Sequence, residues 1–250
     1  MFFCQNSVYS KQLTAKSAIV VDSASGKICF GKNIYSKRLP ASTTKLVTAL
    51  VARDNALLSD KFVVSKNAAK IEPSKAYLTF NEKYLVSSLL SAALMSSAND
   101  ASIVLAEGIA GDEKKFVDLM NAKCKEIGAK NTKFANCTGL PSKEKQYTTV
   151  YDLVVIMNKV MKDPVLVNIM EKKQKEIKGT DGKEIKLINH NIYLWKTDGL
   201  LLGKTGYTIA AGQCFAGFKK NKFKNDILFA VLGGKTLWGD IKEIISGFDS

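Results

Sequence analysis

Strand-like patterns at both ends of the 250-residue chain, with helical patterns between them, constrain its fold most strongly. Apolar stretches bounded by polar turns predict strands near both chain ends, at residues 17–22 and 27–30 and again at 212–218 and 226–234. Apolar residues at helical spacing predict helices in the middle of the chain: residues 43–56, 83–95, 99–111, 112–128 and 149–161. A hairpin is expected at 172–189 and a last helix at 237–248. We therefore predict an α/β (α+β) fold, in which an antiparallel sheet assembled from both chain ends packs against a helical lobe beside a groove.

The amino end is expected to lie outside the main domain. No apolar run approaches the roughly 20 residues of a membrane span, so we predict no transmembrane segment. The opening "MFFCQNSVYSKQ" is too short for a signal peptide. Either residues 1–14 remain after an export signal has been removed, or the protein is not exported. Residues 15–250 contain no evident linker and are predicted to form one domain with a substantial core.

The charge of the chain is strongly basic. It has 37 basic and 23 acidic residues, a net charge of +14, which favours anionic surroundings such as wall polymers, lipid headgroups or nucleic acid. The basic residues are not gathered into one arm, and the RNA-binding aromatic signature is absent. We therefore expect no specific nucleic-acid partner.

Cysteine and histidine usage limits the chemistry. The five cysteines form no CxxC pair, so neither a zinc site nor a disulfide framework is indicated, and we expect no metal and no cofactor. His190 is the one histidine, and its surroundings, "INHNIYLW", are typical of a polar turn that leads into a strand. We do not expect it to act as a catalytic base, so a hydroxyl nucleophile would need a different partner.

Ser42 and Lys45 are the first candidates for that chemistry. They lie three residues apart at the start of the helical pattern in "PASTTKLVTAL", so both side chains would share one helix face. A lysine amine that is buried, or placed near a second cation, loses its proton more easily and can then deprotonate a hydroxyl. Serine is also an ordinary helix cap, and a second SxxK, Ser142 to Lys145, is interpreted as a chance match.

Two further stretches carry polar groups suited to a groove. "MSSAND" puts Ser97 and Asn99 in a short loop between two helical patterns. "GKTGYT" puts Lys204 and Thr205 at the start of a predicted strand, whose open edge could pair with an extended peptide. A phosphate-binding loop is not favoured for this stretch, because Asp198 occupies the position at which that motif needs glycine.

Taken in order, Ser42 to Lys45, Ser97 to Asn99 and Lys204 to Gly206 resemble the SxxK, SxN and KTG motifs of penicillin-recognising serine acyltransferases. The surrounding stretches "LPASTTKLVTAL", "LMSSANDASIVLAE", "FANCTGLP" and "GKTGYTIAAGQCFAGF" are similar to the low-molecular-mass penicillin-binding proteins that are D-alanyl-D-alanine carboxypeptidases. The resemblance extends from about Ala15 to Phe248.

This resemblance implies a β-lactamase/transpeptidase-like fold and a serine DD-peptidase that acts on peptidoglycan stem peptides. It implies that Ser42 is the nucleophile and Lys45 its base, that Ser97 relays a proton to the leaving amine, and that Asn99 holds Lys45 and the substrate backbone. Lys204 and Thr205 would meet the terminal carboxylate, with Lys204 also helping to keep Lys45 neutral. The implied substrate-binding residues are Thr205, Gly206, Tyr207 and Thr208. The implied oxyanion hole consists of the backbone amides of Ser42 and Tyr207.

The resemblance also implies partners and a location. We expect stem peptides ending in D-Ala-D-Ala as substrates, β-lactams as covalent inhibitors, a monomer, and a site of action outside the cytoplasmic membrane. In the family an Asp-Gly pair commonly lies close before KTG, whereas Asp198-Gly199 are separated from Lys204 here by "LLLG", which puts the supporting role of Asp198 in doubt. We expect neither a second, β-rich domain nor an amphipathic anchor.

Three alternatives remain beside the carboxypeptidase interpretation. A class A β-lactamase is disfavoured, because no glutamate is followed four residues later by asparagine. DD-endopeptidase or transpeptidase activity would use the same groups. A non-catalytic wall-binding module would keep the groove without turnover, although every residue of the three motifs is present.

Overall fold

The computed structural model describes residues 13–196, 201–221 and 225–249. Its strands are β1 (Ser17–Asp22), β2 (Ile28–Lys32), β3 (Lys61–Val63), β4 (Lys83–Leu85), β5 (Gln174–Lys178), β6 (Glu184–Ile188), β7 (Leu201–Thr208), β8 (Gly212–Lys219) and β9 (Ile227–Gly234). Its helices are α1 (Lys45–Asn55), α2 (Lys66–Lys70), α3 (Val86–Met95), α4 (Asn99–Ala110), α5 (Glu113–Glu126), α6 (Val150–Val160), α7 (Pro164–Glu171), α8 (Tyr193–Lys196) and α9 (Leu237–Asp249).

Five strands from the two ends of the chain form the central sheet. Their order is β2-β1-β9-β8-β7, and every neighbouring pair is antiparallel. The predicted assembly of the sheet from both chain ends is therefore confirmed. Strand β7 lies at one edge, so its outer backbone groups are free of a neighbouring strand in the described sheet. The short pairs β3-β4 and β5-β6 form two separate hairpin-like sheets.

The central strand β9 separates two apolar layers. Leu228, Ala230 and Leu232 face the helical lobe, which includes α1 and α3 to α7. Phe229 and Val231 face α9 on the other side of the sheet. Successive side chains alternate between the faces of a strand, so a strand covered on both faces has no polar positions, as in "ILFAVLGG".

Several local predictions were wrong, each for a physical reason. Lys83–Leu85, predicted as helix, pairs as strand β4 with β3, because three residues are too few for a periodic pattern to distinguish the two. Helix α7 was not predicted; Asp163 caps its amino end and Pro164 occupies the first turn, where a missing N–H costs nothing. Short helix α8 follows "INHN" where a strand was expected, and strand β7 begins at Leu201, before Lys204.

Within the described ranges, no helix combines the length and the apolar character that crossing a membrane requires.

Candidate active site

Ser42 lies in a tight 3₁₀ turn, Ala41–Thr44, that leads directly into α1. Ala41, immediately before it, has a φ of 46°, which is costly for a residue with a side chain. Gly139 packs against this turn so closely that a Cβ atom there would lie 1.8 Å from the Ala41 carbonyl oxygen. The turn that presents Ser42 is thus held in a strained conformation by a contact that only glycine permits.

Lys45 is fully buried and its Nζ atom has three acceptors around it. It donates to Ser42 Oγ at 3.0 Å, to Asn99 Oδ1 at 2.6 Å and to the Thr138 carbonyl at 2.7 Å. Two of these acceptors, the amide oxygen and the carbonyl, can only accept. When Lys45 is neutral its two N–H groups satisfy them, and the lone pair is left facing the Ser42 hydroxyl.

Burial lowers the pKa of Lys45 to about 7, and the neighbouring Cys137 and Asp100 act in the opposite direction. Removing the ammonium from water penalises the charged form, so the amine is substantially neutral near physiological pH. The geometry therefore supplies a base in contact with a serine hydroxyl.

Asn99 is oriented by contacts on both sides of its amide. Its Nδ2 donates to the Pro73 carbonyl at 2.5 Å, which turns Oδ1 towards Lys45. Asn99 begins α4, and its backbone N–H donates to the Ser74 carbonyl at 2.8 Å. Ser97 lies two residues earlier in the connecting loop, 6% exposed and with a φ of 57°.

Strand β7 passes directly beside the Ser42 turn. A Cβ atom on Gly206 would lie 2.9 Å from the Ser42 backbone nitrogen and 3.1 Å from that of Thr43. The space over these amide groups stays open because residue 206 has no side chain. The Tyr207 side chain is exposed. Thr208 Oγ1 accepts a hydrogen bond from the Ala211 N–H at 3.0 Å, so this hydroxyl oxygen also stabilises the β7-β8 turn.

Lys204 is the second buried amine of the site, 1% exposed, and donates to the Thr205 carbonyl at 2.8 Å. Burial first, and then the charge of Lys45, hold the pKa of Lys204 well below its usual value. The two sequence-distant lysines thus interact electrostatically. For Lys45 itself, burial is the main cause of the lowered pKa.

The structure adds groups that the sequence motifs did not indicate. The Thr138 carbonyl, which binds Lys45, belongs to the loop "FANCTGLP", where Asn136 Oδ1 accepts from the backbone N–H groups of Thr138 and Gly139. Asp100 is fully buried beside the asparagine of the SxN motif. The glycine in "CTGL" was the available sequence signal for the loop that carries Thr138. Nothing in the pattern distinguished Asp100.

His190 lies near the two lysines, but the Ser42 hydroxyl contacts Lys45. Burial, then Lys204, then Lys45 lower the pKa of His190. Asp198 and Gly199 lie outside the described residues. Among the residues that the structure describes, no group of three or more His, Cys, Asp or Glu side chains is arranged to hold a metal ion.

Three features together define the penicillin-recognising serine peptidases. They are a sheet built from both chain ends, a helical lobe, and a serine hydroxyl that is hydrogen-bonded to a buried lysine at the start of the first long helix. The same architecture occurs in solved structures. A D-alanyl-D-alanine carboxypeptidase from Mycobacterium tuberculosis H37Rv has a TM-score of 0.89 at 28% identity, covering 97% of this chain and 93% of that one. The Streptomyces K15 DD-transpeptidase, at 23% identity, shares the fold with a TM-score of 0.87, covering 95% and 98% of the two chains. These likenesses confirm the predicted fold class.

The family model described as D-alanyl-D-alanine carboxypeptidase matches residues 4–236, so the chain belongs to this family, peptidase family S11. The D-alanyl-D-alanine carboxypeptidase DacF of Bacillus subtilis (strain 168) is 33% identical over 228 residues, which is 89% of this chain and 58% of the relative. The chain thus spans somewhat more than half the length of that protein.

Proposed function

We propose that the protein is a serine-type D-Ala-D-Ala carboxypeptidase that removes the terminal D-alanine from peptidoglycan stem pentapeptides through an acyl-enzyme. The observation that carries this proposal is the set of three acceptors around Lys45 Nζ. Two of them hold the N–H groups of the neutral amine, and the third is the hydroxyl to be deprotonated.

Acylation follows from this geometry. Neutral Lys45 takes the proton of Ser42, and Oγ attacks the carbonyl carbon between the last two D-alanines. The negative charge that develops on the carbonyl oxygen is met by the backbone amides of Ser42 and Tyr207. Ser97 passes the proton to the departing amine, so the C–N bond breaks as free D-alanine leaves.

Deacylation returns the enzyme to its starting state. Water attacks the ester of Ser42, gives up a proton to the same base and releases the shortened stem peptide. Asn99 keeps Lys45 in place throughout, because the Asn99 side-chain amide is itself fixed by its hydrogen bond to the Pro73 carbonyl.

Substrate binding is assigned to strand β7. An extended peptide adds to its open edge through backbone hydrogen bonds, the mode of recognition that an unpaired edge strand permits. Lys204 and Thr205 meet the terminal carboxylate, with Gly206, Tyr207 and Thr208 continuing the binding strand. The basic character of the chain suits an anionic ligand.

The remaining parts of the proposal concern partners and location. A β-lactam resembles the acyl donor and is trapped on Ser42 as a stable ester. The protein acts outside the cytoplasmic membrane, where peptidoglycan lies, and acts as a monomer without a cofactor. A DD-transpeptidase among the proteins of similar fold favours one second activity, the transfer of the acyl group to an amine instead of water.

The test measures D-alanine released from a peptide ending in Lys-D-Ala-D-Ala, together with labelling by a fluorescent penicillin. The parent should do both, and Ser42→Ala should do neither. Ser142→Ala is the matched control, since it removes the serine of the other SxxK, which is exposed and distant in sequence. Equal activity in Ser42→Ala and the parent would refute the assignment.

The products separate the alternatives. Dipeptide formation with an added amino acid in excess of hydrolysis would indicate a transpeptidase. Cleavage of crosslinked stem peptides but not of pentapeptides would indicate an endopeptidase. Rapid turnover of the penicillin would indicate a β-lactamase, and binding without release of D-alanine or labelling would indicate a wall-binding module.

A further inference from the structure

His190 is held between the end of α3, which leads into the second motif, and strand β7, which carries the third. Its backbone N–H donates to the carbonyl of Met95, the last residue of α3, at 3.0 Å. Next to it, Asn191 Nδ2 donates to the carbonyl of Leu201, the first residue of β7, at 2.9 Å. The imidazole therefore projects from a backbone segment that bridges the loop of Ser97 and the strand of Lys204.

The flanking residue on the other side is fixed as well. Asn189 Nδ2 donates to the carbonyls of Met170 and Lys172, at 3.2 and 3.0 Å, and its Oδ1 accepts from the Asn191 N–H at 2.9 Å. Two asparagines thus fix the backbone on both sides of His190. The residue keeps part of its surface accessible to solvent, although burial is the largest cause of the lowered pKa of its imidazole. A rigid backbone with a partly accessible imidazole suits contact with a ligand.

Among the described residues, the charged groups that act on the imidazole are positive. Lys204 from β7 and Lys45 from α1 are the charged groups that act on it, and both lower the pKa of His190. At the end of α3, Met95 and Ser96 contribute no charge, and the flanking residues Asn189 and Asn191 are neutral. An anion that bound beside Lys204 would interact favourably with Lys204 and with a protonated His190.

We propose that His190 is a third donor to the terminal carboxylate of the substrate, beside Lys204 and Thr205, and that it becomes a cation when that carboxylate binds. This inference rests on the proposed function, because it takes the carboxylate site from it. His190 would touch the substrate without taking part in proton transfer at Ser42.

The sign of the pH dependence follows from linkage. In the free enzyme burial, and after it the two lysines, favour neutral imidazole. A bound carboxylate favours imidazolium, so binding raises the pKa of His190. Affinity for a carboxylate-ended ligand should then increase as the pH falls. Catalysis has the opposite dependence, because Lys45 must be neutral, so binding and turnover have to be measured separately.

The experiment uses the Ser42→Ala protein without a histidine tag, so that a bound peptide is not consumed. His190 is then the one histidine of the chain, and its Cε1–H resonance reports its pKa directly. With a peptide ending in Lys-D-Ala-D-Ala, the pKa should rise by about one unit, and with the same peptide ending in an amide it should not move. Equal pKa values with the two peptides would overturn the inference.

Dissociation constants provide the second measurement. Between pH 8 and pH 5.5, affinity for the carboxylate peptide should increase about tenfold more in Ser42→Ala than in Ser42→Ala/His190→Gln, the size of one charge-assisted hydrogen bond. Because Lys204 remains in both proteins, the difference isolates the imidazole. Ser42→Ala/His190→Arg should bind tightly at both pH values. A double variant with glutamine that keeps the full pH dependence would also overturn the inference.

Failure of the two proposals can be told apart. If the parent releases no D-alanine, the proposed function fails. If the parent releases D-alanine and the pKa of His190 is the same with the carboxylate-ended and the amide-ended peptide, the assignment of His190 fails and the proposed function stands.

Discussion

Burial and hydrogen bonding act in opposite directions on the Lys45 amine. Burial lowers its pKa to about 7, while the three acceptors offer good geometry to the ammonium form. The balance leaves both forms accessible, which is what proton transfer in both directions requires. The i, i+3 spacing was enough to predict that Ser42 and Lys45 could touch. It could not indicate the Thr138 carbonyl, which reaches Lys45 through tertiary packing.

Gly206→Ala tests the close approach of β7 to the Ser42 turn. The added methyl group would lie 2.9 Å from the Ser42 nitrogen, in the space proposed for the oxyanion. We expect kcat/KM for D-alanine release to fall about 10²–10³-fold, the typical effect of losing one oxyanion donor. Gly31→Ala is the control: its methyl group would also lie 2.9 Å from a neighbour, but that neighbour is the movable side chain of Ile34. Equal activities of the two variants would contradict the account.

At the scale of elements, the loop 72–81 and helix α4 form one unit. The Asp100 carboxylate in the first turn of α4 accepts from the backbone N–H groups of Ala76 and Leu78, at 3.0 and 3.1 Å. Tyr77, between them, has a φ of 60° and an exposed side chain. Helix α4 was predictable from its apolar spacing. The conformation of loop 72–81 was not predictable, because it depends on a carboxylate contributed from elsewhere in the chain.

Asp100→Asn should affect both the loop and the base. An amide offers one acceptor oxygen in place of two, so one loop N–H is left unsatisfied, at a cost of about 1–3 kcal/mol in the free energy of unfolding. Loss of the negative charge also removes an influence that raises the pKa of Lys45. The inflection in the kcat–pH profile should therefore move to lower pH. Asp112→Asn, at an exposed helix cap, should leave that inflection in place; an unmoved inflection in Asp100→Asn would show that Asp100 does not act on the base.

At the scale of the whole molecule, the two ends of the described chain are joined. Thr14 Oγ1 donates to Asp240 at 2.8 Å and accepts from the backbone N–H groups of Lys235 and Thr236, while its own N–H donates to Asp240 at 2.6 Å. This junction fixes the start of β1 beside the end of β9. Local patterns predicted both strands, but their order in the sheet depends on pairing between residues more than 200 positions apart, which local patterns do not specify.

Thr14→Val tests this junction with little change in shape. The substitution removes the hydroxyl, so Asp240 and the backbone N–H groups of Lys235 and Thr236 lose a hydrogen-bonding partner. We therefore expect the free energy of unfolding to fall by about 1–2 kcal/mol. Thr14→Ser keeps the hydroxyl and should recover most of the loss. D-alanine release by the folded protein should be unchanged in both. Urea denaturation gives the comparison, and equal stability of the valine and serine variants would refute the role of the hydroxyl.

The central claim is that an amine, not an imidazole, deprotonates Ser42, and the pH dependence of kcat tests it most directly. With saturating peptide, kcat should rise about tenfold per pH unit below an inflection near the Lys45 pKa of about 7 and then level off. Because His190 is the one histidine, His190→Gln separates the two bases. The account predicts that the inflection persists in this variant at the same pH, whatever the substitution does to substrate binding. Loss of the inflection would contradict it.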